Sequence, residues 1–169
     1  MSLRLPTLLL LLAAATTPAA ADAPHELRNW APDPFRQLSA DRADCPVPRG
    51  PLMTEAEWRS EAHWRIETGT SCWLAGQCAD SNAYRYDAAL AQALFPRLQA
   101  APALAGSSVW VYLQRRILFM QGCVRDAAQA AALEAAAKGT PELLMVVPAL
   151  RVGSDEPIPY RRLVAFVTR

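Results

Sequence analysis

The sequence contains few glycines, only two histidines and almost no excess of charge of either sign. Of its 169 residues, 7 are glycine. The chain has 17 basic and 16 acidic side chains, so its formal net charge is +1. A chain without surplus cations displaces few counterions, which excludes electrostatic nucleic-acid binding as the main activity. The 52% hydrophobic content excludes a wholly disordered chain, and the length favours one domain, with or without an additional arm.

Motifs that mark common catalytic sites are also missing. No G-x-S-x-G, H-E-x-x-H, phosphate-binding loop or dinucleotide fingerprint occurs in the chain. Ser107 and Ser108 enter a predicted strand without a neighbouring histidine. Glu55 and Glu57 fall in the first turn of a predicted helix, where carboxylates interact favourably with the helix dipole. The sequence therefore predicts a protein that is not an enzyme and has no cofactor and no bound metal.

Apolar runs of membrane-spanning length are absent, and the longest run lies at the N-terminus. Residues 1–21 read MSLRLPTLLLLLAAATTPAAA, with Arg4 before the apolar stretch and small residues at the end. This pattern predicts a cleaved secretory signal peptide, because a spanning helix needs about 20 apolar residues. An uncleaved anchor is the alternative. We expect an exported chain without a transmembrane span, located in the periplasm if the source is a Gram-negative bacterium.

Four cysteines follow the predicted cleavage site: Cys45, Cys72, Cys78 and Cys123. An even number in an oxidising compartment indicates disulfides. The stretch CWLAGQC favours a local Cys72–Cys78 bridge, whereas a bridge from Cys45 to either of these would tie the preceding arm to the next helix. The spacing lacks the close cysteine pairs of a zinc site.

The region before the main domain, residues 22–83, combines a proline-rich arm with one helix and the cysteine loop. Six prolines lie in 22–52, and because proline fixes φ and lacks an N–H, the arm is predicted to be extended or irregular. Thr54 and Glu57 form a capping box that starts a helix over 54–68.

Helical spacing returns at Asp87, which we expect to cap a second helix. Leu90, Leu94 and Leu98 recur every four residues and so share one face of this helix. Pro96 is expected to kink the helix or to end its first part.

Strand and helix patterns then alternate up to the C-terminus. Alternating β-branched and aromatic residues predict strands over 108–113 and 117–124, close enough to pair as a hairpin. An alanine-rich helix over 127–138 follows, begun by a capping box, and strands are predicted over 142–147 and 162–167. The fold class is therefore α+β: two helices on one face of a small mixed sheet of three or four strands, in the order αββαβ.

The stretch ILFMQGCVRD, residues 117–126, carries a family resemblance. Apolar residues alternate along it, Gly122 and Val124 follow, and an alanine-rich helix ending at Gly139 comes directly after. This pattern resembles a BON domain, the small module of bacterial osmotic-stress and envelope proteins, over residues 84–169 with an additional C-terminal strand. The family commonly has glycine in the hairpin turn where Arg116 stands, so we expect a longer loop there.

The alternation also assigns residues of the second strand to the two faces of the sheet. Gly122 is expected to let a helix approach closely on the inner face. Ile117, Phe119 and Cys123 point to the opposite face. Because these residues are apolar, we expect the helix over 54–68 to cover them, and a Cys45–Cys123 bridge would fit such a cover.

The resemblance implies a non-catalytic binding module of the cell envelope that binds phospholipid or a periplasmic protein partner. Arg115 and Arg116 are the candidate ligand contacts, because arginine pairs grip phosphate groups bidentately. Arg161 and Arg162 form a second such pair, and solvated turn charges are the competing interpretation. The alternative function is an exported enzyme or enzyme inhibitor that uses the cysteine- and tryptophan-rich region 45–78.

Overall fold

A computed structural model describes residues 26–67 and 69–164 of the chain. Within this part the fold is α+β, as predicted, with a four-stranded mixed sheet and two helices on one of its faces. The strands are β1 (Phe35–Ala40), β2 (Ser108–Gln114), β3 (Ile117–Val124) and β4 (Met145–Val152). The α-helices found in these residues are α1 (Glu55–Glu67), α2 (Thr70–Leu74), α3 (Asp87–Gln99) and α4 (Ala127–Ala137).

The predicted signal peptide, residues 1–21, lies outside the described residues. Among the residues that are described, none of the helices has the length and apolar character needed to cross a membrane.

The strands follow the order β1-β2-β3-β4 across the sheet. β2 pairs antiparallel with β3 and forms the predicted hairpin, which closes at the pair Gln114 and Ile117. β4 then runs parallel to β3, because α4 returns the chain to the end of the sheet at which β3 begins. This is the predicted αββαβ order, in which α3 precedes the hairpin.

Strand β1 lies within the proline-rich arm and was not predicted as a strand. It pairs antiparallel with β2, with a register shift between Gln37 and Ser39. The sequence FRQLSA did not indicate a strand, because the irregularity breaks the two-residue period by which a strand is recognised. The free edge of β2 is thus filled by the arm.

The strand predicted over 162–167 is wrong for the residues that are described. Arg162 forms only an isolated bridge with Pro48, and residues 165–167 lie outside the described part. Residues 162–164 add no strand to the sheet, whose edge strands are β1 and β4.

The predicted strand over 142–147 begins three residues later and continues past the proline expected to limit it. β4 includes Pro148, which stands opposite Met120 of β3. Because β4 is an edge strand, it tolerates a residue without an N–H donor, whereas a central strand would lose a ladder hydrogen bond.

The main core lies between the sheet and helices α3 and α4. The predicted stripe Leu90, Leu94 and Leu98 is buried, together with Leu133 of α4. Alternate residues of the hairpin point into the same layer and are fully buried: Val109, Val111, Leu113, Leu118, Met120 and Val124. Each such side chain contributes about 1.5–3 kcal/mol on burial, so this layer provides the main driving force for folding.

Helix α3 continues through Pro96, so of the two expected outcomes, a kink or an end, the end is wrong. Pro96 is exposed, and its ring therefore lies on the solvent side while the leucine stripe packs on the sheet. Burial of that stripe outweighs the loss of one helix hydrogen bond.

The opposite face of the sheet is covered mainly by the arm. Cys45, Trp110 and Cys123 form a second buried cluster, with Phe35 packed against it. Tyr160 adds to this cover by donating a hydrogen bond from its hydroxyl to the carbonyl of residue 46, at 2.7 Å. The expected cover by the helix over 54–68 is therefore replaced, in its main part, by the arm.

Helix α1 reaches this face through one buried ion pair. Arg65 donates two hydrogen bonds to the carboxylate of Asp33, at 2.9 Å and 2.6 Å. The same carboxylate accepts a hydrogen bond from the Gln114 side chain, at 2.6 Å. Asp33 therefore links the arm, α1 and the end of β2.

The capping box predicted at α1 is confirmed. The backbone N–H of Glu57 donates to the Thr54 hydroxyl at 3.2 Å, and the Glu57 carboxylate accepts from the Thr54 N–H at 2.8 Å. In α4 the Asp126 side chain likewise accepts from the Gln129 N–H, at 2.8 Å.

Candidate functional site

The hairpin turn, the cysteine loop and the segment before β4 enclose a cavity of about 300 Å³. Among the described residues the lining combines apolar side chains and two arginines with one carboxylate, that of Asp80: Gly69, Cys72, Cys78, Asp80, Ala83, Tyr86, Arg115, Arg116, Ile117 and Leu144. We call this space the hairpin cavity. It contains both arginines that the sequence offered as candidate ligand contacts.

The hairpin turn has only two central residues, and both are arginines in the left-handed region. The φ angle is 57° at Arg115 and 63° at Arg116, where glycine or asparagine is more usual. Asp87, which is 2% exposed, compensates for this conformation. Its carboxylate accepts the backbone N–H of Arg115 at 2.8 Å and that of Arg116 at 2.7 Å. The expected longer loop is therefore wrong.

Asp87 also differs from its predicted role as a helix cap. It is the first residue of α3 and makes no capping hydrogen bond there, since the cap position is Tyr86. Burial raises the pKa of the Asp87 carboxyl to about 6, against the two backbone hydrogen bonds, which favour the ionised form. A sequence signal for this position existed: Asp87 falls on the Leu90–Leu94 stripe, three and seven residues before them, so its side chain faces the sheet.

Arg116 is held by its neighbours and forms a fixed wall of the cavity. Its Nε donates to the carbonyl of Glu142 at 2.6 Å, and its Nη2 donates to the Glu142 carboxylate at 2.7 Å. The guanidinium lies over the ring of Tyr86, 4.7 Å from its centroid. Its backbone carbonyl accepts the N–H of Leu144 at 2.8 Å. Most donors of Arg116 are thus already used.

Arg115 keeps unused hydrogen-bonding capacity. Its Nε is buried and has no hydrogen-bond partner among the described residues. The positive charge lies near Tyr84 and Tyr112, where it opposes the burial that raises the pKa of both hydroxyls, to about 12 at Tyr112. A buried donor without a partner is unfavourable, so an anionic oxygen beside Arg115 would be stabilising.

All four cysteines form disulfides, in the pairs Cys72–Cys78 and Cys45–Cys123. The favoured local bridge is confirmed, and both of its cysteines line the hairpin cavity. Cys45 pairs with Cys123 rather than with a cysteine of the loop, across a sequence separation of 78. The second bridge therefore ties the arm to β3.

Large apolar side chains are exposed on two segments that border the hairpin cavity. Trp73 and Leu74 follow directly after Cys72 and are 48% and 73% exposed, while Leu144 and Met145 are 64% and 51% exposed. We call these four residues the apolar rim. Exposed apolar clusters of this kind are typical of interaction surfaces.

The two glycines named from the sequence have backbone roles. A Cβ at Gly122, whose φ is 142°, would meet the Ser108 carbonyl and the Cα of Val109 on β2. The close approach is thus made by a strand, not by a helix as expected. Gly139 follows α4 with a φ of 75°, which suits the residue after a helix end.

No family model, curated protein or solved structure matches the chain at a significant level. The resemblance to a BON domain therefore stays a prediction. In the part of the chain that the structure describes, no three His, Cys, Asp or Glu side chains stand together so that they could hold a metal ion, and His63 is exposed.

Proposed function

We propose that the chain is a non-catalytic, BON-like binding module of the bacterial cell envelope, exported to the periplasm by its N-terminal signal peptide, and that it binds anionic phospholipid at the hairpin cavity. The observation that carries the proposal is the position of Arg115, with an unpartnered buried Nε, in a cavity bordered by the apolar rim.

The fold and the disulfides support the envelope part of this proposal. The αββαβ order is the one that the resemblance implies for residues 84–169. Two disulfides are typical of proteins that leave the reducing cytosol.

The cation in the cavity suits a phosphodiester headgroup. Guanidinium groups bind phosphate oxygens through paired, charge-assisted hydrogen bonds. Arg115 has the free donor, and Arg116 fixes the turn because Glu142 and Tyr86 hold its side chain. Since the net charge of the chain is only +1, attraction depends on these local contacts rather than on the overall charge.

The apolar rim suits the interface between headgroups and acyl chains. Tryptophan is favoured at this depth because its ring is apolar and its N–H is polar. Trp73 and Leu74 are the last two residues of α2 and lie within the short segment closed by the Cys72–Cys78 bridge, so their insertion into a bilayer would require little additional ordering.

The test is co-sedimentation of the purified protein with vesicles of phosphatidylglycerol and phosphatidylethanolamine. We expect binding to these vesicles and little binding to phosphatidylcholine alone. Arg115→Gln should lower the partition coefficient about fivefold, since one arginine near an anionic surface contributes about 1 kcal/mol. Leu74→Ala should lower it about tenfold, because a buried leucine contributes about 1.5–3 kcal/mol.

Arg125→Gln is the matched control for the arginine change. Arg125 is an exposed arginine that follows the other end of β3, away from the turn, so its loss should leave binding unchanged. Equal losses for both arginine variants, or no sedimentation with anionic vesicles, would contradict the proposal. Absence of lipid binding together with capture of one periplasmic protein would favour an adaptor instead.

A further inference from the structure

A second and larger cavity, of about 580 Å³, lies between the start of α1 and residues 160–164. Its lining is cationic with an apolar part: Leu27, Arg49, Glu57, Arg161, Arg162 and Val164. It shares no lining residue with the hairpin cavity, and the proposed lipid binding makes no use of it. We call it the arginine cavity.

The arginine cavity carries a net positive charge. Glu57 is its single acidic lining residue among those described, and its carboxylate accepts hydrogen bonds from Arg49 and from Arg161, the latter at 2.9 Å. These contacts hold the pKa of Glu57 well below its usual range, so it stays ionised. With three guanidinium groups against one carboxylate, the lining has a formal charge of about +2.

Donors in this cavity remain without acceptors. Arg49 is only 7% exposed, yet its Nε has no hydrogen-bond partner among the described residues. Arg161 uses one Nη on Glu57 and is otherwise exposed, with 73% of its side chain accessible. A buried guanidinium nitrogen without an acceptor is unfavourable, and at Arg49 it adds to the unbalanced positive charge of this cavity.

The backbone fixes where these arginines stand. The N–H of Arg49 donates to the carbonyl of Arg161 at 2.7 Å, and the N–H of Leu163 donates to the carbonyl of Val47 at 2.8 Å. These two hydrogen bonds hold the C-terminal segment against the arm. The backbone of these arginines is thus held in place, and Glu57 orients the side chains of Arg49 and Arg161, which lowers the entropic cost of binding.

We propose that the arginine cavity binds the phosphate group of a phosphate monoester. A phosphate monoester carries a charge of about −1.5 to −2 at neutral pH, which matches the formal charge of the lining. Its oxygens fit the paired donors of arginine. The cavity volume falls within the range of small-molecule sites and exceeds that of a phosphate group, so the organic part of the ligand packs beside Leu27 and Val164.

Isothermal titration calorimetry of the intact protein with phenyl phosphate, inorganic phosphate and phenol tests this proposal. Phenyl phosphate should bind more tightly than inorganic phosphate, and phenol should not bind. Arg161→Gln and Arg162→Gln should each weaken the binding of phenyl phosphate about tenfold or more, because the loss of one hydrogen bond to a charged group changes affinity by about that factor.

Arg85→Gln is the matched control. Its side chain is 74% exposed and makes one ion pair, with Asp80, as Arg161 does with Glu57, but it does not line this cavity. Calorimetric binding that is absent, or that falls equally in all three variants, would overturn the proposal. Thermal unfolding of each variant identifies any variant that does not fold. The arginine variant that does fold then tests the proposal through its calorimetric affinity for phenyl phosphate.

The phosphate group has two natural sources, a soluble ester and the headgroup of phosphatidic acid. Vesicles that contain phosphatidic acid distinguish them. If the lipid is the source, Arg161→Gln lowers co-sedimentation as well as calorimetric affinity. If the source is soluble, only the calorimetric affinity falls. Both results support a phosphate monoester site, and Arg115→Gln leaves the calorimetric result unchanged, which separates this site from the hairpin cavity.

Discussion

At the scale of single residues, one buried carboxylate determines how the two arginines of the hairpin turn are presented. Asp87 accepts both backbone N–H groups of the turn, and these hydrogen bonds offset the cost of a left-handed conformation at two non-glycine positions. Arg115 is thereby held at the cavity without using its own side chain. The pair itself was found from the sequence, whereas its support came from a residue 28 positions away.

Asp87→Asn should change the pH dependence of stability in a defined direction. Burial keeps the folded pKa near 6, whereas the reference value is 3.8, so the folded chain holds a proton that the unfolded chain releases. The stabilising contribution of Asp87 is therefore present at low pH and is lost as the pH rises through this window, by about 3 kcal/mol. Asparagine does not titrate.

Urea unfolding of both proteins between about pH 4 and pH 7 measures this effect. The wild type should gain stability relative to Asp87→Asn as the pH falls. Other titrating groups, such as Glu57, are common to both proteins and cancel in the difference. A wild type that loses stability relative to Asp87→Asn as the pH falls would show instead that the two backbone hydrogen bonds outweigh desolvation and that the pKa of Asp87 is lowered.

At the scale of elements, helix α3 combines a favourable buried face with an unfavourable exposed residue. Its leucine stripe packs on the sheet, and Pro96 interrupts the hydrogen bonds only on the solvent side. Local rules predicted a kink or an end at this proline. The helix does not end there, because several buried leucines outweigh one missing donor.

Pro96→Ala should therefore stabilise the protein. Alanine supplies an N–H for the carbonyl of Gln92 and removes the ring that crowds it, which is worth about 1–3 kcal/mol in a helix interior. Chemical denaturation checks this, with Gln92→Ala as a control at an exposed position of the same helix, expected to change stability by less than about 0.5 kcal/mol. A destabilised Pro96→Ala protein would show that the proline fits the native helix and restricts the unfolded chain.

At the scale of the whole molecule, the Cys45–Cys123 disulfide joins the arm to the sheet. It closes a loop across a sequence separation of 78, whereas Cys72–Cys78 spans 6. The entropy that a disulfide removes from the unfolded chain grows with the length of this loop. The long bridge is accordingly the stronger constraint on the fold, and the short one acts locally at the hairpin cavity.

Removal of the two disulfides should have unequal effects. By loop entropy, Cys45→Ala with Cys123→Ala should lower the free energy of unfolding by about 4.5 kcal/mol, and Cys72→Ala with Cys78→Ala by about 2.4 kcal/mol. Guanidinium chloride unfolding of both double variants measures the difference, and a thiol reagent should find no free cysteine in the unreduced wild type. A larger loss for the short loop would contradict this ranking.

The sequence alone determined the features whose signals are local. The capping box of α1, the leucine stripe of α3, the β2–β3 hairpin and the Cys72–Cys78 loop each depend on residues a few positions apart, so periodicity and capping rules reveal them. Only the tertiary structure decided which distant segments meet. β1 forms an edge strand although its sequence pattern is irregular. Pairing with β2 and burial against the second face of the sheet stabilise it, whereas its local strand propensity is weak.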